Sequence, residues 1–414
     1  MTAELSAAPR SGPWTPRVVL ALAVLAAAAF VYVTAEIMPV GALPAIAADL
    51  GVSEAVVGTL LAGYALVAAV ATVPLVRWTA AWPRRRIFLV TLISLVLSQV
   101  ISALAPSFAV LALGRVLCAL THGLMWSVIA PIGARLVPAS HVTRATTSVY
   151  IGTGLALVVG SPLTAAMSHV WGWRLAVAAI AAAAVVVLVA ARFVLPPMPM
   201  AETARGPGSP RIRHHRNRLL VAMTALTFVG VTGHFISYTF IVVIIRDVVG
   251  ISGSAMAWLL AGYGVAGLAT MGLLARPGDR RPRATILGCL AGLAVVFAVL
   301  AGLAFGGSVG TAALLTGVVA IIAWGATATA MPPMLQSAAM RHSPDDPDGA
   351  SGLYVTAFQV GIMAGSLAGG LLYSHAGVVG ILAASAILVT SAGTSAALSR
   401  DLLAGQPGPL TSTK

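Results

Sequence analysis

VYVTAEIMPVGALPAIAADL (residues 31–50) places one carboxylate, Glu36, inside an otherwise uncharged run that extends from Val18 to Ala48. That run is long enough to cross a bilayer as a helix, since a span needs about 20 residues. A carboxylate in hydrocarbon costs about 2.5–3.5 kcal/mol on insertion scales, so an acid kept there indicates function, usually a proton or cation site. The alternative is that Glu36 lies at the outer membrane edge, towards Asp49, where water hydrates it.

The composition is typical of a chain built for a bilayer. Hydrophobic residues make up 59% and charged residues 8%, and the mean hydropathy is +0.98, whereas soluble proteins carry roughly 25% charged residues. We therefore expect an all-α membrane protein with twelve transmembrane helices. The twelve apolar stretches lie near 18–44, 53–76, 87–105, 107–134, 145–168, 174–196, 219–245, 253–275, 284–304, 308–336, 350–374 and 377–399.

The net charge of +13 follows a topological pattern. If the N-terminus is cytoplasmic, the even number of spans returns the C-terminus to the same side. Nearly all arginines then fall in inner segments, and the outer loops keep only Arg174 and Arg246, as the positive-inside rule predicts. The basic balance therefore indicates orientation in a lipid bilayer, not a nucleic-acid partner. Cys118 and Cys289 lie inside predicted spans without metal-ligand spacing, so we expect neither a metal site nor a disulfide.

One long polar break, AETARGPGSPRIRHHRNR (201–218), divides the chain into two halves of six spans. An offset of 197 residues lays Arg84–Arg86 over Arg281–Arg283 and, within one residue, Glu36 over His234. Related halves around a central loop are typical of secondary transporters, whose substrate site lies between the halves. The predicted organisation is a cytoplasmic tail (1–16), a six-helix bundle (17–197), a basic linker (198–218), a second six-helix bundle (219–400) and a cytoplasmic tail (401–414).

Several stretches resemble a known family. TAEIMPVGALPAIAADLGVS, GTLLAGYALVAAVATVPLV, GRVLCALTHGLMWSVIAP and GHFISYTFI are similar to exporters of the major facilitator superfamily, in particular sugar-efflux and arabinose-efflux-permease-like proteins and the related chloramphenicol and multidrug exporters. The resemblance implies two pseudo-symmetric six-helix bundles in a bacterial cytoplasmic membrane. It also implies export of a drug or sugar in exchange for protons, with no cofactor beyond the proton gradient. We expect the protein to function as a monomer.

Arg115, in LALGRVLCALTHG, is the one basic residue well inside a predicted span. An arginine there normally pairs with an acid or faces an aqueous cavity. The matching arginine of the family is associated with proton coupling, so the resemblance implies that Arg115 acts together with Glu36. The alternative is that Arg115 snorkels towards the nearby membrane surface.

Further polar and aromatic residues are candidates for substrate binding beside Glu36. His122 and Trp126 follow Arg115 at helical spacing and share its face. His234 and Tyr238 are four residues apart on the seventh span, where we expect them to face Glu36 across a central cavity, and Gln359 adds an amide in the eleventh span. For the histidines, a structural hydrogen bond in the bundle is the alternative.

Two motifs concern the conformational change. Gly152, Gly160 and Pro162, in IGTGLALVVGSPLTA, resemble the antiporter motif of the fifth span, where proline bends the helix between the halves; ordinary small-residue packing is the alternative. The loop VRWTAAWPRRRIF resembles the gating loop after the second span and keeps Arg84 and Arg85. Its second-half counterpart, ARPGDRRPR, offers Asp279 and Arg280. Plain positive-inside loops would explain both sequences as well.

The sequence contains no P-loop, nucleotide fingerprint or serine-nucleophile elbow. We therefore expect neither an enzyme nor an ATP-driven pump. A proton-independent facilitator or importer of the same fold remains open as an alternative, as does a receptor or scaffold that transports nothing.

Overall fold

The computed structural model describes residues 13–198, 216–307, 310–399 and 401–403. Within these residues the regular structure is helical. Most of the predicted linker (198–218) and most of the two predicted tails lie outside the described residues, so their domain boundaries stay predictions.

The first half forms six long helices joined by short connections. Thr15 caps the first helix by accepting a hydrogen bond from the Val18 amide, and Ser53 caps the second in the same way. A short helix, Leu43–Leu50, follows α1 and ends at Gly51 in the left-handed conformation. The helices are α1 (Pro16–Gly41), α2 (Glu54–Trp78), α3 (Arg84–Ala103), α4 (Phe108–Arg135), α5 (Val142–Leu155 continuing as Ser161–Trp171) and α6 (Trp173–Val194).

The second half repeats this plan. Its first four helices are α7 (Arg218–Tyr238), α8 (Gly253–Arg280), α9 (Pro282–Gly306) and α10 (Thr311–Arg341). The last helical stretch, Pro347–Leu398, is 52 residues long and is interrupted at Gly377, whose φ of 62° is the left-handed region that favours glycine. We call the parts before and after Gly377 α11 and α12.

Helices α11 and α12 form a hairpin against α7. At 1.5 Å per residue a straight helix of this length would exceed twice the hydrocarbon thickness of a bilayer. Gly365 of α11 and Leu388 of α12 instead contact neighbouring parts of α7, at Phe235 and Gly233. Eleven helices of the described chain are long and apolar enough to cross a membrane. Because the longest one is two spans, the predicted twelve-span architecture is confirmed.

Small residues bring the helices close together. Glycines of α11 pack on α7: a Cβ at Gly365 would lie 2.6 Å from the Thr232 carbonyl, and one at Gly369 equally close to the Ile236 carbonyl. Between the halves, α5 packs on α8, and α11 packs on α2 and α4. Cys118 and Cys289 are free and buried.

Two details differ from the sequence predictions. A π-helical turn, Ala156–Gly160, interrupts α5 directly before Pro162, so the irregularity precedes the proline. The predicted C-terminal tail begins as packed chain, since Leu402 and Leu403 are buried and the Leu402 carbonyl lies 2.7 Å from Nε2 of His342. Apolar leucines directly after the last span explain why this segment stays against the bundle.

Candidate functional site

Glu36 lies on α1 near the proline that interrupts the helical hydrogen bonds. The Glu36 side chain is 22% exposed, and its Oε2 lies 3.9 Å from Nδ1 of His122 on α4. The carboxylate has no arginine partner within 4.0 Å among the described residues. The basic side chain that meets the carboxylate is thus the His122 imidazole.

Arg115 reaches the same place from α4 and binds the backbone of α1. Its guanidinium donates to the carbonyls of Ala35 and Glu36, at 2.6 and 2.7 Å. Pro39, four residues after Ala35, has no N–H, so the Ala35 carbonyl lacks its helical donor. Arg115 replaces that donor, which explains why an arginine that is only 4% exposed is stable here. The arginine therefore holds the backbone that carries Glu36 and does not bind its carboxylate.

Tyr64 of α2 completes this cluster. Its hydroxyl lies 2.9 Å from Nδ1 of His122, and the Arg115 guanidinium stands 4.8 Å from the centre of its ring. Trp126, one turn after His122, packs against Tyr150 of α5 with ring centres 5.2 Å apart. We call Glu36, Tyr64, Arg115, His122 and Trp126 the acidic cluster. Four of its members were predicted to lie together, whereas Tyr64 was not predicted.

A second cluster occupies the other half and carries no charged side chain. Nε1 of Trp324 donates to Nδ1 of His234 at 3.2 Å, and His234 stacks on Tyr238 with ring centres 5.1 Å apart. Tyr263 packs edge-on against Trp324. We call these four residues the aromatic cluster. The predicted polar pair thus faces Trp324, and no hydrogen bond joins it to Glu36. Gln359 is buried and makes no polar contact to either cluster within the described chain.

The two clusters occupy equivalent places in the repeat. Glu36, Tyr64 and His122 lie on α1, α2 and α4, and His234, Tyr263 and Trp324 lie on α7, α8 and α10, with separations of 198, 199 and 202 residues. The sequence carries a signal for the tyrosine pair, because LLAGY occurs at both 60–64 and 259–263. A search for short repeats would have found Tyr64 and Tyr263 together.

Ion pairs join the halves at one end of the bundle. Asp348 of α11, 3% exposed, accepts from Arg84 at 2.6 Å and from Arg135 at 2.7 Å. We call this arginine-rich end the basic face. The predicted gating residue Arg84 is thus paired with Asp348, and neither Asp348 nor Arg135 was predicted to take part in this contact. Arg85 instead binds the carbonyl of Arg192.

The second gating loop forms a matching contact. Asp279 accepts from Arg144 and from the Thr143 amide, both at 2.7 Å, and so connects α8 to α5. Arg280 is exposed and has no polar partner within the described chain. Behind these pairs, the buried Gln336 of α10 donates to the Trp126 carbonyl at 3.1 Å. The halves are therefore in contact from the basic face up to the acidic cluster.

At the opposite face, the described ion pairs stay within one half. Asp49 pairs with Arg174 and accepts from Nε1 of Trp173, and Arg246 pairs with its neighbour Asp247. The hydrogen bond from Arg174 holds the pKa of Asp49 below its ordinary value. The described ion pairs between the halves therefore all lie at the basic face.

The glycines of the predicted antiporter motif set the position of α5. A Cβ at Gly152 would lie 1.9 Å from the Ala26 carbonyl of α1, and one at Gly160 would lie 2.3 Å from Oγ1 of Thr34. Gly154 makes a similarly close approach to Leu268 of α8, in the other half. Pro162 itself is exposed. These contacts allow α5 to lie close to α1 and α8; the role of the motif in exchange stays a prediction.

Comparisons with known proteins agree with this architecture. The family model described as Major Facilitator Superfamily matches residues 25–242 and 223–409. A chloramphenicol efflux pump of Mycobacterium tuberculosis, strain ATCC 25618 / H37Rv, is 64% identical over 363 residues, which are 88% of each chain. The chloramphenicol efflux pump of strain CDC 1551 / Oshkosh is 63% identical over 363 residues, which are again 88% of each chain.

Solved structures show the same fold at low sequence identity. The human organic anion transporter MFSD10 (TETRAN) has a TM-score of 0.74 at 15% identity, over 92% of this chain and all of its own. The fucose:proton symporter of E. coli has a TM-score of 0.70 at 15% identity, over 91% of this chain and 98% of its own. The chain is thus a multi-pass membrane transporter, not an enzyme, and it belongs to the Major Facilitator Superfamily.

Proposed function

We propose that this transporter exports a neutral aromatic drug of the chloramphenicol type in exchange for protons, with Glu36 as the proton site. The relatives at 63–64% identity are chloramphenicol efflux pumps, which supports both the direction and the substrate class. The observation that carries the proton assignment is the Glu36 carboxylate itself. It lies within a membrane span, keeps partial exposure, and is bound by no arginine among the described residues.

Exchange requires that proton and substrate oppose each other's binding. The acidic cluster supplies a means for this, because Nδ1 of His122 faces both the Tyr64 hydroxyl and the Glu36 carboxylate. A drug hydroxyl or amide that enters this network competes for the groups that stabilise a protonated Glu36. Substrate arrival then favours loss of the proton, and proton arrival favours loss of the substrate.

The aromatic cluster suits the ring of such a drug. His234 and Tyr238 are partly exposed, while Trp324 is fully buried behind them. Stacked and edge-on aromatic contacts contribute about 0.5–1.5 kcal/mol each beyond area burial. In this proposal the second half binds the ring, and the first half binds the polar end and handles the proton. Both clusters belong to one chain, so the monomer is the working unit.

In this proposal, alternating access breaks and re-forms the ion pairs of the basic face. The arginines there agree with a cytoplasmic position of that face and of both termini, in the cytoplasmic membrane of a bacterium. Opening to the cytoplasm separates Asp348 from Arg84 and Arg135, and Asp279 from Arg144. The π-helical turn of α5, next to Gly160, lies where the helix can bend as the halves rock.

The test is proton movement in everted membrane vesicles with an imposed pH gradient. Chloramphenicol should dissipate the gradient with the wild type and with Asp49→Asn, a matched loss of one acid in the same half. Glu36→Gln should bind the drug yet show no exchange. If Glu36→Gln still exchanges drug for protons, the proton assignment is wrong. If drug moves through both forms without proton movement, the protein is a facilitator, and a response to sugars alone would overturn the drug assignment.

A further inference from the structure

A groove of about 330 Å³ lies between α8, α9 and α10, near the basic face and apart from both clusters. Its walls are mostly apolar and include Leu274, Pro277 and Cys289. Gly288 forms part of its floor, and a Cβ at this position would meet no atom within 4 Å. No aromatic residue lines the groove, and its glycine and alanine residues are exposed on the outer surface of the bundle.

Arg281 lines the end of the groove that lies at the basic face. Arg276 and Arg280 are exposed nearby, and none of the three guanidinium groups has a polar partner within the described chain. The equivalent turn of the first half differs at one position, because Arg84, which corresponds to Arg281, binds Asp348. Arg85 and Arg283 each bind a backbone carbonyl, so the two halves do not differ there. The acid nearest in sequence, Asp279, is occupied by Arg144. The second half therefore keeps uncompensated positive charge beside an apolar groove.

We infer that this groove is a binding site for an anionic phospholipid. The phosphate lies at Arg281, and one acyl chain follows the apolar wall past Leu274 and Gly288. Basic pockets between spans on the cytoplasmic side bind anionic headgroups, and each arginine near such a surface contributes about 1 kcal/mol. The absence of aromatic residues from the lining favours an acyl chain over an aromatic drug.

The test is native mass spectrometry of the full-length protein released from mixed micelles of phosphatidylglycerol and phosphatidylcholine. We expect the wild type to retain phosphatidylglycerol about fivefold more strongly than phosphatidylcholine, the factor that corresponds to about 1 kcal/mol. Arg281→Gln should remove this preference. Its matched control is Arg77→Gln, an exposed and unpaired arginine at the end of α2, which should leave the preference unchanged.

A second pair of variants tests the groove itself. Gly288→Leu adds a side chain to the groove, at a position where a Cβ meets no atom within 4 Å, and should lower retention of phosphatidylglycerol at least fivefold. Gly302→Leu places the same side chain elsewhere on α9, also where a Cβ meets no atom within 4 Å, and should retain the lipid. Equal retention of both lipids by the wild type, or unchanged retention by Gly288→Leu, would overturn the site. Displacement of the lipid by glycerol 3-phosphate would show that phosphate alone is recognised, which also overturns it.

Discussion

The two halves of this transporter share a scaffold and differ in charge at equivalent places. The residues of the acidic cluster correspond to those of the aromatic cluster: Glu36, Tyr64 and His122 to His234, Tyr263 and Trp324. The first half therefore carries a carboxylate where the second half carries an aromatic ring. A duplicated scaffold can thus keep its helix packing while only one copy carries the charge. The proposed division of labour, with proton handling in one half and ring binding in the other, follows from this asymmetry.

The asymmetry extends to the backbone. Pro39 leaves the Ala35 carbonyl of α1 without a donor, and Arg115 supplies one. The equivalent place on α7 has Ser237, which keeps its N–H and binds Ser385 with its hydroxyl. At this place α7 therefore has no proline that would free a carbonyl, and Gly317, 202 residues after Arg115, packs on Val249. The buried Arg115 thus lies where a proline leaves a backbone carbonyl without its helical donor.

The largest effect is expected from Arg115→Lys. One ammonium cannot reproduce the two fork-shaped hydrogen bonds to Ala35 and Glu36, and each bond from a charged donor is worth about 1.5–3 kcal/mol. Export should fall at least about thirtyfold, and the protein should lose thermal stability, measured by transport in vesicles and by melting in detergent. Adding Pro39→Ala restores an N–H to the Ala35 carbonyl. The double variant should therefore recover stability, and strictly additive losses would contradict this account.

A smaller effect is expected from Asp348→Asn at the basic face. The change leaves Arg84 and Arg135 without their carboxylate, and removing one partner of a buried ion pair typically costs about 3 kcal/mol. The closed contact between the halves should weaken. Maleimide labelling of Ser351→Cys, in a background lacking Cys118 and Cys289, should become at least tenfold faster.

The control for this experiment is Asp345→Asn, which removes an exposed acid three residues before Asp348. Labelling should not change in that variant. If both variants accelerate labelling equally, the effect is one of net charge and the assignment of Asp348 to the inter-half contact is wrong.

Trp324→Phe tests the aromatic cluster. Phenylalanine keeps the ring but removes the N–H that donates to His234, a loss of about 1 kcal/mol. We expect the KM for drug to rise about fivefold with proton exchange per drug unchanged. Tyr64→Phe removes the matching hydroxyl beside His122 and should change the pH profile of exchange instead. The same response from both variants would argue against a division of labour between the halves.

The sequence predicted the fold, whereas the roles that it suggested for the site residues stay predictions. Composition and the distribution of arginines were sufficient for twelve spans. The spacing of Arg115, His122 and Trp126 placed them on one face, and the family resemblance implied that Arg115 acts together with Glu36. The sequence could not predict the role of Asp348. PDDPDG (344–349) contains three acids, and the arginine partners of Asp348 lie more than 200 residues before it in the chain. The hydrogen bonds from Arg115 to the Ala35 and Glu36 carbonyls were not predicted either, because a sequence does not show which backbone carbonyls lack a donor.

The smallest effect is expected from a comparison of two acids at the opposite face. Hydrogen bonds from arginine lower the pKa of both Asp49 and Asp247. A lowered folded-state pKa stabilises the fold at pH values above the unfolded-state pKa, and this contribution is lost as the pH falls through the folded-state pKa.

Arg174 is 125 residues from Asp49 and meets it only in the folded chain, whereas Arg246 adjoins Asp247 even when the chain is unfolded. Asp49→Asn should therefore lower the melting temperature by about 1 °C at neutral pH and change nothing below the folded pKa, while Asp247→Asn should have no effect at either pH. A larger loss from Asp247→Asn would show that the second half depends on its exposed pair more than the first half does.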